Sequence, residues 1–233
     1  MKKVLVLLAV LAMTLGANAQ NRPGAGKDYN RVEISYAPMF FSDYASVGRS
    51  RNYSSMTAHG FKAGYVHGIH LSKKWPMFIE AGANLQYNRK NVEMFESDDD
   101  VVDVKEAPLS ILRLNIPVAF TWRFAVGSKK LWKISPYTGF NFGINLLYKI
   151  DGNNMFKFVE DYGAEWGFTD DDFSANRFQF GLIEGVNFTY KRWNFGVNYV
   201  IDLMYLTKSR DQVFGIEEKN YTGTLAISAG YEF

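Results

Sequence analysis

From Arg31 onward the chain alternates apolar and polar residues with a period of two, the signature of strands with one apolar face. Over 31–38, Val32, Ile34 and Tyr36 alternate with Arg31, Glu33 and Ser35. Over 77–88, Ile79, Ala81, Ala83, Leu85 and Tyr87 oppose Glu80, Gly82, Asn84, Gln86 and Asn88. The same alternation recurs over 59–71, 112–124, 134–148, 176–190, 193–206 and 221–233, which makes eight segments. Segments of about this length suit a tilted strand crossing a bilayer, which needs ~9–11 residues.

The connections alternate in size. Those at 72–76, 125–132 and 191–192 are short, while those at 40–56, 91–108, 149–175 and 207–220 are long. Short turns at one end and long loops at the other are the layout of outer-membrane barrels, and an even strand number returns both termini to the short-turn, periplasmic side. In hydrocarbon no sheet edge can be left open, so strands with apolar outer faces and no covering helices must close on themselves. The competing fold is an exported, soluble eight-stranded barrel, with the apolar face inward and the polar face outward. Against it, the polar faces are rich in Gly and Asn rather than Lys and Glu. The apolar faces also end in aromatics (Trp122, Phe124, Tyr148, Tyr190, Trp193 and Tyr205), as membrane girdles require. The expected fold class is all-β: an eight-stranded antiparallel up-and-down transmembrane β-barrel over residues 31–233.

The N-terminus assigns the compartment. Lys2 and Lys3 precede an apolar run from Val4 to Leu15, and Ala17-Asn18-Ala19 forms a small-x-small cleavage site, so residues 1–19 read as a signal peptide and Gln20 as the first mature residue. Residues 20–30, with Pro23, Gly24 and Gly26, read as a flexible periplasmic lead-in. Loss of Lys2 and Lys3 brings Lys+Arg down from 26 to match Asp+Glu at 24. A near-neutral mature chain gives no reason to expect nucleic acid as a partner. The absence of cysteine excludes a disulfide framework and a lipid-bearing N-terminal Cys.

The central strands carry a family resemblance. Leu114-x-Ile116-Pro117, a short turn, then Pro136-Tyr137-x-Gly139 is similar to the pattern of the PorT-like outer-membrane β-barrel domain, within the broader group of porin-family, OmpA-like eight-stranded barrels. FGLIEGVNFTY and FGVNYVIDLMYLT resemble its next two strands. Tyr231 and Phe233 resemble the terminal signal read by the barrel-insertion machinery. The resemblance implies an integral outer-membrane location in a Gram-negative-type bacterium, and one class of members serves a secretion apparatus. It implies no particular activity.

Candidate chemistry is sparse. The inward faces carry Arg31, Glu33, Lys62, Glu80, Arg113, Arg123, Arg177, Asp202 and Glu232. An eight-stranded barrel is just wide enough for side chains to fill, and buried charges must be paired, so these are expected to form an ion-pair network that plugs the lumen. Strand direction places Lys62, Arg113, Arg177 and Asp202 in the outer half, and Glu33, Glu80, Arg123 and Glu232 in the periplasmic half. Asp98, Asp99, Asp100 and Asp103, and Asp170, Asp171 and Asp172, enrich two long loops in oxygen without the spacing of a Ca²⁺ loop. They read as solvated or lipopolysaccharide-bridging segments. His59, His67 and His70 lack metal-site spacing, and no cofactor or metal site is expected. His59 near Ser54 and Ser55 is the one candidate for lipid-modifying chemistry, without a nucleophile motif in support. His67 and Glu184 fall on apolar faces, which implies a position near an interface, a β-bulge, or a partner surface. The leading expectation is a non-enzymatic envelope protein with a structural, surface-interaction or secretion-accessory role, in contact with outer-membrane lipids and lipopolysaccharide. A small solute pore and a lipid-modifying enzyme are the alternatives.

Overall fold

The computed structural model describes residues 27–45, 56–72, 75–98, 101–126, 131–157, 173–210 and 217–233. The expected signal peptide with Ala17, Ala19 and Gln20, and the lead-in up to residue 26, lie outside the described residues, as do Ser54, Ser55, Asp99, Asp100, Asp170, Asp171 and Asp172.

Eight long antiparallel strands succeed one another around a ring: β1 (Tyr29–Tyr36), β2 (Met56–His70), β3 (Met77–Asp98), β4 (Val101–Trp122), β5 (Trp132–Ile150), β6 (Phe178–Tyr190), β7 (Trp193–Asp202) and β8 (Glu217–Glu232). Each pairs with its chain neighbours, and β8 closes on β1, with Val32 opposite Tyr231. At the seam Phe233 exchanges both backbone hydrogen bonds with Asn30. Walking through paired residues from Tyr29 once around the ring returns to the first strand line at Met39, ten residues further on (29 to 39). That stagger is what tilts the strands of a closed barrel. Among the described residues no helix is long and apolar enough to cross a membrane. The described helical structure is one 3₁₀ turn, Met155–Lys157.

The two faces of the ring are inverted relative to a water-soluble barrel. Phe61 is 72% exposed, Ile34 67% and Phe178 65%, whereas Asn84, Asn115, Asn141, Asn194 and Asn198 are buried inside. In water such a surface would be an aggregation patch, and in a bilayer it is the required outer face. The soluble alternative is thereby set aside.

Several strands run further than the alternation implies, whereas β7 stops at Asp202, short of the expected 206. At the end opposite the termini, the β3–β4 hairpin stays paired to Asp98 opposite Val101, through most of the stretch expected as a loop at 91–108. The line of β1 breaks at Ala37 and Pro38 and resumes as Met39–Ala45, in unbroken register with both neighbours. Thr207–Arg210 pairs with the start of β8, and Phe173–Ala175 pairs with Thr207–Ser209. Asp151 and Gly152, both with positive φ, turn the chain so that Asn153 faces Ile150. Once a strand leaves the hydrocarbon its outer face need no longer be apolar, so the period-two signal lapses while the hydrogen-bond ladder continues.

Two register features correct the sequence reading. Leu112 pairs with Leu147 and Arg113 with Asn145, so Leu146 is an extra residue in β5. This bulge reverses the facing of the residues beyond it. Tyr148, expected in the outer girdle, is buried inside at 6% exposure. Around Glu184, where a bulge was one expectation, pairing to β5 and β7 is unbroken, and Glu184 is exposed.

Candidate functional site: the filled lumen

The inward side chains are stacked in three layers. The first lies near the termini. Arg31 donates through Nη2 to Glu80 at 2.9 Å and through Nε to Glu33 at 3.1 Å. Tyr29 donates its hydroxyl to the other oxygen of Glu80. The Tyr29 ring lies against the Cα of Gly68, where a Cβ would fall 2.4 Å from the ring. The Arg123 guanidinium lies over the same ring, 3.9 Å from its centroid. Arg123 in turn donates to both carboxylate oxygens of Glu232 at 2.7 Å, and Lys133 approaches the same carboxylate at 3.9 Å. β1, β2, β3, β5 and β8 contribute, with Arg123 just past the end of β4, so this layer ties the closing seam to the far wall.

The middle layer is an amide ladder. Asn115 donates to Asn84 at 3.0 Å and to Gln86 at 3.2 Å, and Asn141 donates to Asn115 at 3.1 Å. Gln86 donates to Asn88 at 2.8 Å, and Asn88 donates to the backbone carbonyls of Ala37 and Ala58. The acceptor at Ala37 stands where Pro38 interrupts the first strand line. Pro117 sits beside this ladder. It has no N–H, and the β3–β4 ladder skips Pro117 and Ile116, with the register unchanged on either side.

Above it, Arg113 is 1% exposed. It donates through Nη1 to Asp202 at 2.6 Å, through Nε to Asn145 at 2.8 Å and through Nη2 to Thr222 at 3.3 Å. Thr222 donates its hydroxyl to the same oxygen of Asp202. Beyond this charge pair the inward faces turn apolar. Met39, Phe41, Ala58, Leu109, Ile111, Tyr148, Met155 and Leu206 form one buried cluster across the mouth. The bulge at Leu146 is what delivers Tyr148 to it.

Between these layers lies a cavity of about 30 Å³, walled by residues that include Glu33, Lys62, Tyr137 and Asn198. That is room for one or two water molecules.

The structure brings most of the sequence-selected charges together. Glu33, Glu80 and Arg123 join Arg31 and Glu232 in the first layer, and Arg113 meets Asp202 in the third. Lys62 is buried on the cavity wall between them. Arg177 does not belong to the network. It is exposed, and its guanidinium lies 4.5 Å from the Phe156 ring centroid. It occupies a bend before β6 begins, so the inward parity of that strand does not reach it. Sequence reasoning missed Tyr29, Asn88, Asn115, Asn145 and Thr222 as network members. For the four polar residues the signal was inward parity, overlooked because they carry no charge; Tyr29 falls in the stretch expected as a flexible lead-in, whereas the first strand begins there.

Outside the lumen, His59 faces outward. Its Nδ1 is hydrogen-bonded to the Tyr36 hydroxyl, and the two rings stack 6.1 Å apart. His67 lies near the terminal end of β2, with Nδ1 2.8 Å from Asn30 Oδ1. Tyr231 packs edge-on against Trp193 and accepts a hydrogen bond from Arg192. Among the described residues no group of His, Asp and Glu could hold a metal ion.

Residues 18–207 match the family model described as "Outer membrane protein beta-barrel domain". A search of curated proteins finds no significant match. Among solved structures the chain is similar to the outer membrane protein OprG of Pseudomonas aeruginosa, at 13% identity, covering 90% of this chain and 96% of that one, with a TM-score of 0.48. It is also similar to the outer membrane enzyme PagL, at 12% identity, 86% and 98% coverage and a TM-score of 0.40. The third is Neisserial surface protein A, at 12% identity, 91% and 100% coverage and a TM-score of 0.40.

Proposed function

We propose that this chain, which belongs to the outer-membrane protein β-barrel domain family, is a closed, non-conducting barrel whose work is done on its surfaces rather than through its lumen. The observation that carries this reading is the packing of the interior. Ion pairs cross it at two levels, an amide ladder fills the space between, and an apolar cluster covers one mouth. Most charged and amide groups of these layers are turned toward one another rather than toward a passing solute, while Asp202 Oδ1 and Asn198 Oδ1 have no hydrogen-bond partner among the described residues. A lumen held this way is a structural strut. The same consumption of polar groups supports a non-enzymatic role.

In this reading the termini are periplasmic, residues 1–19 are a cleaved signal peptide, and the strand extensions opposite the termini stand on the cell surface. There they meet lipopolysaccharide or a surface or secretion-system partner. Leu114-x-Ile116-Pro117 and Pro136-Tyr137-x-Gly139 support placement in the PorT-like group, and Tyr231 with Phe233 supports delivery by the barrel-insertion machinery. A liposome-swelling assay with small sugars tests the closed lumen. Proteoliposomes holding the folded chain should swell no faster than empty liposomes, and size-dependent swelling would refute the proposal.

A further inference from the structure

On three adjacent strands the outward apolar run ends at one cross-strand row. Beyond Tyr87 on β3, Leu112 on β4 and Leu147 on β5, the next outward residues are Arg89, Ser110 and Lys149, and Ser110 pairs with both of the others. Met77, at the terminal end of β3, lies twelve residues from Arg89 (77 to 89). At ~3.3 Å per residue and a tilt of ~40° that is roughly 30 Å along the barrel axis, against an apolar band ~25 Å tall. The row therefore stands at the boundary of the hydrocarbon, at the end opposite the termini. Among the described residues the side chains of Arg89 and Lys149 make no hydrogen bond or ion pair. Ser110 Oγ accepts from the Tyr87 hydroxyl at 3.4 Å, which leaves its own proton to donate.

A groove of about 620 Å³ opens on the lipid-facing wall beside this row. It starts at Leu112 and Tyr87, passes over Ala63 and Ile34, and reaches Phe195. The ten-residue stagger of the ring makes each cross-strand row climb away from the termini in the direction β1 to β5. Followed the other way, from β4 back through β1 to β7, the groove descends into the membrane. Its volume is within the ~300–1,000 Å³ of pockets that take a small ligand. Unpaired cations at the boundary, with an apolar furrow leading down from them, complement an amphiphile with an anionic headgroup. We propose that row and groove hold one lipopolysaccharide molecule, with a phosphate on Arg89, Ser110 and Lys149 and an acyl chain in the furrow. Arg89 and Lys149 stand two strand spacings apart, about 10 Å, so two long side chains can meet on one phosphate, and a guanidinium bonds phosphate oxygens in pairs. This inference rests on the reading that the end opposite the termini faces the cell surface, where the leaflet of an outer membrane is built of lipopolysaccharide.

Native mass spectrometry of the full chain, extracted from outer membranes in mild detergent, is the test. The wild type should carry one lipopolysaccharide per chain. Arg89→Gln with Lys149→Gln should cut the carried fraction at least fivefold. Ala63→Phe, which fills the groove floor and leaves both cations in place, should cut it at least threefold. Lys191→Gln, which removes an exposed cation at the terminal end, should leave it unchanged. Shifted migration when unheated checks that each variant is folded. An unchanged fraction in the double variant, an equal loss in Lys191→Gln, or a phospholipid carried in place of lipopolysaccharide would each overturn the proposal. Orientation is read separately. The chain has no cysteine, and Lys157→Cys, exposed in the turn beyond Lys149, should react with a membrane-impermeant maleimide on whole cells. A labelled cysteine with no lipopolysaccharide on the wild type removes the site alone, whereas an unlabelled one removes the surface reading and the site with it.

Discussion

Arg113 and Asp202 are 89 residues apart in the chain and 2.6 Å apart in the lumen. The contact bridges β4 and β7, which are not neighbours in the ring, so it spans the barrel interior rather than one wall. Both side chains are 1% exposed. A buried pair of this kind is costly to break on one side only, because the remaining charge has nowhere to go.

Arg113→Met should therefore destabilise the folded barrel by about 3–5 kcal/mol. The double replacement Arg113→Met with Asp202→Leu should recover most of that loss. Equilibrium urea unfolding in lipid vesicles measures both. Equal losses for the single and double variants would show that the pair contributes nothing specific.

The apolar mouth makes a second prediction. Ile111 is fully buried in the cluster beneath the strand extensions, so Ile111→Ala should cost ~2–5 kcal/mol, as for a core cavity. Ile34 is 67% exposed on the lipid-facing wall, and Ile34→Ala should cost much less, since lipid fills the space left. Paired unfolding curves decide it, and similar losses at the two sites would mean that the mouth is not packed as a core.

Tyr29 supplies the third. Its ring touches Gly68 and Arg123 while its hydroxyl reaches Glu80. Gly68→Ala places a methyl 2.4 Å from that ring, and the overpacking should cost about 1–3 kcal/mol. Tyr29→Phe, which keeps the ring and removes only the donor, should cost about 1–2 kcal/mol. A neutral Gly68→Ala would show that the ring is free to move aside.

Much of this is legible in the residues. The alternation in 77–88 and 193–206 locates β3 and β7, and inward parity alone picks out Arg113, Asp202, Glu80 and Arg123. Parity fails where the backbone breaks it. The bulge at Leu146 turns Tyr148 inward, and nothing in Leu146-Leu147-Tyr148 marks an extra residue, because all three are apolar. Arg177 is misplaced by parity for the reverse reason: the alternation is carried past the point where β6 begins. Glu184 stands out as a break in the pattern and remains one in the structure. A polar residue facing lipid is a property of the surface, and strand periodicity has no means of explaining it.

The closed lumen is tested most directly by single-channel recording in planar bilayers, with the refolded full-length chain in high salt. The account predicts no resolved openings for the wild type. It also predicts none for Arg31→Ala with Glu80→Ala, because the Arg113–Asp202 layer and the apolar mouth still close the path. Stable, long-lived openings of the wild-type protein would contradict it.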